Sequence, residues 1–498
     1  MLFNSYEFIF IFLPIAFIGY FGLNYIGKYR IATVLLTLMS LFFYGYHKID
    51  YLWIILCSII LNYGLHRLLL GQAQRNKRFC KAILILGIVA NVGILYFFKY
   101  FNFTVDIVNA LTRQSINIMQ IALPLGISFF TFQQVGFLVD SYKGEINKQR
   151  FWPYALFVTF FPQLIAGPIV NHDEMLPQFE SKENKCIQWD NIMLGIRAFV
   201  YGLSKKVLIA DTLGKAVDWG YQYYEVLDGL NIALVIILYS LQLYFDFSGY
   251  CDMARGLGYF FNIQIPLNFN SPYKSKNMVD FWRRWHITLG RFFTRYVYIP
   301  LGGNRKGFIR GLLNVFIVFC ISGIWHGAGW TFVVWGLVHA FAQVCTRIWW
   351  KLKEKCNLPQ IKNKLIKWFS DVGCMVISFL FVAFAFGIFR ADNLTQAWGM
   401  IRRLPAISEL HPPLEIASFL CFKETDLVLK VLGQENHPLI QMCLFLGIVA
   451  TITWGGKNVY ETEKAYKAGY LSVAIYGVLF VWCVLSLSNV STFLYFNF

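Results

Sequence analysis

Two histidines carry the chemistry that this sequence offers, His326 in LLNVFIVFCISGIWHGAGWTFVVWG and His286 in the basic, tryptophan-rich FWRRWHITLGRFFTRYVYIPLGGNRKG just before it. The run 311–346 has no charged side chain and reads as membrane-embedded, where an ionisable group is costly enough to be functional by default. Imidazole titrates near neutrality, so at low dielectric it can stay neutral and act as a general base at little cost. Gly323, Gly327 and Gly329 around His326 let the backbone turn sharply or let a thin group such as an acyl chain come close. The competing reading is a packed histidine that donates to a neighbouring carbonyl.

His286 follows Trp282, Arg283, Arg284 and Trp285, and Arg291 and Arg295 lie further along the same segment. Guanidinium groups beside indoles suit a pyrophosphate or an adenine nucleotide through charge-assisted and stacking contacts. The same residues equally anchor an interfacial helix to lipid headgroups. Phe281, Trp282, Trp285, Leu289, Phe292 and Phe293 have roughly helical spacing, which predicts one amphipathic helix dipping into the interface. No HxxxxD, Walker-type, HExxH or GxSxG motif occurs, and the cysteines show no metal spacing. His339 reads as packed, while His47, His66, His172, His411 and His437 lie near the ends of apolar spans.

The elements that must position these residues follow from composition. The 498 residues are 57% hydrophobic and 14% charged, with a mean hydropathy of +0.52, which describes a polytopic membrane protein and not a soluble one. A net charge of +17 could suit nucleic acid, but the cations sit in short loops between apolar spans, where anionic lipid and the positive-inside rule explain them. Spans are expected at roughly 8–27, 31–46, 51–66, 82–98, 114–139 with a kink at Pro124, 191–210, 229–250, 311–346 (more than one helix, bent at the glycines), 372–389, 437–455 and 469–487. The breakers in 151–172 (FFPQLIAGPI) predict a re-entrant segment that lines a cavity. Basic links at 67–81, 274–310 and 347–367 are expected on the cytoplasmic face, and the loop from Arg390 to Asn436 outside. The whole chain, 1–498, reads as one transmembrane domain.

The pairing of FWRRWHITLGRFF…YIPLGGNR with ISGIWHGAGWTFVVWG resembles the membrane-bound O-acyltransferases, in the bacterial branch that O-acetylates polysaccharides such as alginate. ISFFTFQQVGFLVDSYKGE, FFPQLIAGPIVNHDEMLPQF, YFDFSGYCDMARGLGYFFNIQIPLNFNSPY and the terminal FLYFNF extend the likeness over the chain, with Asn171-His172 a local departure. The resemblance implies an all-α ring of about eleven tilted transmembrane helices around a tunnel. It makes His326 the base and His286 a second polar position. Trp282, Arg283, Arg284, Arg291 and Arg295 become candidates for binding an acyl thioester, acetyl-CoA or an acylated carrier protein. Ser322, Trp325 and Gly327 are expected around the tunnel and the developing oxyanion, with no permanently bound cofactor and no metal. It further implies the bacterial inner membrane, a polysaccharide acceptor and a periplasmic or extracellular partner acyltransferase. A D-alanyl transferase and a non-enzymatic transporter of lipid-linked saccharide are the rival readings.

Overall fold

A computed structural model describes residues 1–498 except 47, 73–75, 358–361, 409–410, 423, 426–428, 430–436, 464–468, 490–492 and 495–498. His47, much of the Arg390–Asn436 loop and most of the FLYFNF tail thus lie outside the described residues. Among the described residues every regular element is helical. Among the described residues eight helices are long and apolar enough to cross a membrane, and Tyr29–Gly45 and Tyr470–Leu485 are shorter apolar ones.

The chain begins with α1 (Leu13–Tyr25), α2 (Tyr29–Gly45), α3 (Tyr51–Gln72), α4 (Lys77–Leu95) and α5 (Phe101–Thr112). A π-helical turn, Tyr96–Tyr100, joins α4 to α5 in one continuous rod. The expected span 114–139 is corrected: residues 113–126 are non-helical, and α6 (Ile127–Lys143) begins only after Pro124 and Gly126. Proline disfavours helix at the residue before it, and Gly126 takes a left-handed φ of +68°. The breaker-rich stretch forms α7 (Phe151–Thr159) and α8 (Phe161–Leu164), then a non-helical passage to α9 (His172–Glu180), and residues 154–170 are all buried. Buried protein thus surrounds the irregular backbone.

Next come α10 (Trp189–Ser204), α11 (Asp211–Gln222) and α12 (Gly229–Phe260). Apolar nearly all round, α12 is correspondingly buried along most of its length. It crosses α10 backbone to backbone: a methyl group on Gly202 would lie 2.5 Å from the Gly249 carbonyl oxygen. The charges of this region are paired, as burial requires, with Lys206 Nζ 2.7 Å from Asp246 and 2.9 Å from Asp211. From the tail, Phe493 stacks edge-on against Tyr250 and the Leu494 N–H donates to Asp246.

The basic segment is not one interfacial helix. It forms α13 (Met278–Arg284) and α14 (Ile287–Phe293), broken at Trp285–His286, and Phe281, Trp285, Leu289, Phe292 and Phe293 are buried in protein. The run 311–346 is a hairpin of α15 (Phe308–His326) and α16 (Trp330–Lys355), turning at the glycines after His326. After it come α17 (Lys364–Arg390), α18 (Leu394–Arg403), α19 (Leu414–Phe419), α20 (Pro438–Ala450), α21 (Val459–Glu463) and α22 (Tyr470–Leu485).

Candidate active site

His326 is the last residue of α15, so about 27 Å of helix separates it from the basic loop before Phe308. The α15–α16 hairpin closes tightly beneath it, because Gly323 meets Gly336: a methyl group on Gly323 would lie 2.6 Å from the Phe332 carbonyl oxygen and 2.9 Å from Gly336 Cα. Aromatic rings surround the His326 imidazole, with centroids at 4.9 Å for Trp325, 5.0 Å for Trp335 and 5.6 Å for Phe389.

His286 stands beside it, ring centroids 6.5 Å apart. It occupies the break between α13 and α14 with φ +46°, a left-handed conformation that costs a non-glycine residue roughly 1–2 kcal/mol. Asn268 holds it there, its side-chain oxygen accepting from the Thr288 N–H (3.2 Å), from Thr288 Oγ1 (2.9 Å) and from His286 Nδ1 (3.2 Å). The backbone N–H can only donate, so that oxygen is an acceptor, and His286 carries its proton on Nδ1 with Nε2 as the acceptor nitrogen. Thr288 Oγ1 in turn accepts from the Ile169 N–H, fastening the broken α8–α9 passage to the same point.

A cleft of about 860 Å³ approaches from the basic face. Trp282, Arg283, Arg291, Arg295 and Ser322 are in its wall, with Arg347 and Tyr298. Arg284 is not: it pairs with Asp280 at 2.9 Å and reaches the Asn270 carbonyl. The cleft ends at Ser322, one helical turn short of His326. There the Trp282 indole packs against Phe319 and Trp335 and donates to His339 Nδ1 at 3.3 Å, so His339 serves as a buried support. Burial alone would lower the pKa of Arg295, but the Tyr296 phenol, Asp140, Glu145 and Asp173 around it raise it instead.

From the opposite side a pocket of about 30 Å³ reaches His326 and Trp325 directly. Its walls are Lys99, residues 123–129 and Ile165. Gly327 faces neither space and lies against the Phe332 ring. The two spaces therefore lie toward opposite ends of α15, the cleft stopping at Ser322 and the pocket reaching His326.

Sequence reasoning passed over Lys99. Its ammonium donates to the carbonyl oxygens of Trp325 (2.7 Å) and His326 (2.9 Å), and Tyr100 Oη donates to Ile324 at 3.0 Å. These otherwise orphaned carbonyls end α15, where a cation is favoured by the helix dipole. The signal was a lone lysine within an otherwise uncharged stretch, 82–105. Trp335 was also missed: its indole N–H and that of Trp325 are buried without an acceptor among the described residues.

A buried imidazole at the end of a membrane-length hairpin, with a basic cleft below it and a small pocket at its ring, suits a membrane-embedded group-transfer enzyme. Residues 120–386 match the profile of MBOAT, the membrane-bound O-acyltransferase family, and the chain belongs to that family. It is 39% identical to the peptidoglycan O-acetyltransferase of Helicobacter pylori over 100% of this chain and 98% of that one. It is 36% identical to the probable alginate O-acetylase AlgI of Pseudomonas aeruginosa over 80% and 74%. To the teichoic acid D-alanyltransferase of Bacillus subtilis it is 30% identical, over 53% and 68%. The protein is thus a multi-pass membrane O-acyltransferase of the O-acetyltransferase type.

Proposed function

We propose that the protein moves an acetyl group from a cytoplasmic thioester, through the bacterial cytoplasmic membrane, to a hydroxyl presented from the outer side, with His326 as the base. The observation that carries this is the placement of His326 between the cleft that ends at Ser322 and the pocket that reaches its ring. The donor, acetyl-CoA or an acetylated carrier protein, lies in the cleft with its thioester at the Ser322 level. His326 takes the hydroxyl proton as the oxygen attacks the thioester carbonyl carbon. The tetrahedral oxyanion collapses, the C–S bond breaks, and the thiolate receives the proton from His326. The unpaired indole N–H groups of Trp325 and Trp335 supply donors for the oxyanion, beside the Ser322 hydroxyl. His286, fixed by Asn268, orients the donor or gates its passage.

Relatives that align with the whole chain are named for peptidoglycan O-acetylation and, as a probable activity, for alginate O-acetylation, which supports a cell-surface glycan as the final acceptor. The D-alanyltransferases align with about half of the chain, which favours acetyl over D-alanyl. A periplasmic partner acyltransferase would relay the group from the outer pocket. The test supplies labelled acetyl-CoA to membranes that contain the protein, its partner and glycan. Label in glycan that disappears in His326→Ala at equal protein level is expected, and undiminished label in that variant refutes the base.

A further inference from the structure

Four arginines line the cleft, and they fall into two pairs. Arg291 is held bidentately by Glu174, at 2.7 and 3.1 Å, and Arg295 by Glu145, Asp140 and Asp173. Those cations are already neutralised, and they tie the segment after His286 to α6 and α9. Arg283 and Arg347 differ, having no carboxylate at ion-pair distance among the described residues. Arg347 shares the cleft wall with Arg283 and the Tyr298 phenol, and its Nε is buried without an acceptor among the described residues. An unsatisfied buried guanidinium donor is costly unless an acceptor reaches it, and an anion in the cleft could meet it together with the exposed, uncommitted Arg283.

We propose that Arg283 and Arg347 together bind the phosphate ester of the donor's phosphopantetheine arm. This rests on the thioester reading above and assigns the part of the donor that the cleft grips. The guanidinium fork matches phosphate oxygens in pairs. The spacing also fits. Arg347 is twelve residues beyond Trp335 on α16, about 18 Å along the helix, and the Trp335 ring touches His326. From phosphate to thioester sulfur the arm has roughly thirteen bonds, which at the extension of a polypeptide chain span about 15 Å. A phosphate held at the arginine pair therefore sets the thioester at the Ser322–His326 level. Coenzyme A and a carrier protein present this same phosphate.

The test uses the full-length protein in lipid nanodiscs. Binding of 4′-phosphopantetheine and of pantetheine is measured by calorimetry, and transfer is measured from acetyl-CoA, acetyl-4′-phosphopantetheine and acetyl-pantetheine. The expected result is a preference for the phosphorylated compounds of about tenfold or more in both readouts. Arg347→Gln should collapse that ratio, Arg283→Gln should reduce it, and Arg347→Lys, which keeps charge and stem, should leave an intermediate ratio. Acetyl-CoA used better than acetyl-4′-phosphopantetheine would point to CoA as the source, and equal use to a carrier arm; both need the phosphate subsite. Equal binding of pantetheine and 4′-phosphopantetheine by the natural protein, or an unchanged ratio in both Gln variants, overturns the proposal. Phosphate binding that depends on Arg347 without any acyl transfer would uphold the subsite and refute the thioester reading alone.

Discussion

The two spaces that converge on His326 are unlike in size and in lining. On the basic face the cleft is about 860 Å³, walled by arginines, tryptophan and carboxylates, whereas the opposite pocket is about 30 Å³ and walled mostly by residues 123–129. The smaller space has room for a water molecule or two, so only a small group fits against His326 on this side. The cleft can hold most of a nucleotide-sized donor. Under the proposed transfer, the difference lets one imidazole serve two substrates: a donor gripped by its remote, charged end in the large cleft, and an acceptor that presents a small reacting group to the small pocket.

The strongest way to break this comparison is to remove the residue that stands between the two spaces. His326→Ala should lower acyl transfer by about 10²–10⁴-fold, the range of a general base, while binding of the donor to purified protein stays close to normal. Next in size is Leu123→Trp, which fills the outer pocket. Acceptor-dependent turnover should fall by about tenfold or more with donor binding unaffected, and a parallel loss of donor binding would mean that the two spaces are not separate.

Lys99→Met sharpens the comparison at its boundary, since it leaves the cleft wall standing, keeps an apolar stem in the outer pocket and frees the carbonyls that end α15. A loss of about 1–2 kcal/mol, read as roughly 5- to 30-fold in kcat with little change in donor KM, is expected, and Lys99→Arg should restore part of it. The smallest effect belongs to Arg284→Ala. Its ion pair with Asp280 is about a third exposed and lies outside the cleft, so donor KM should change less than about twofold.

Much of this was legible in the residues. A charge-free run with glycines after His326 gives a hairpin with the histidine at its bend, because only helix satisfies the backbone in lipid and the glycines permit the turn. The breakers at 151–172 gave irregular, buried backbone for the same reason. The helical spacing at 281–293 misled, since left-handed His286 is held by Asn268 from eighteen residues upstream, a tertiary contact with no local signature. Arg284 follows Arg283 directly, yet the two side chains take different faces, and charge composition cannot say which arginine an acid will claim. Lys99 and Arg347 reach the site only because α4–α5 and α16 pack beside α15, so their roles come from the fold and not from any motif.

The central claim is passage from one face to the other through His326. Sealed inside-out membrane vesicles loaded with acceptor and given membrane-impermeant labelled acetyl-CoA outside test it most directly. Label should appear on the enclosed acceptor with the natural protein and not with His326→Ala. Transfer that persists in His326→Ala, or that occurs only when acetyl-CoA is supplied on the same side as the acceptor, would contradict it.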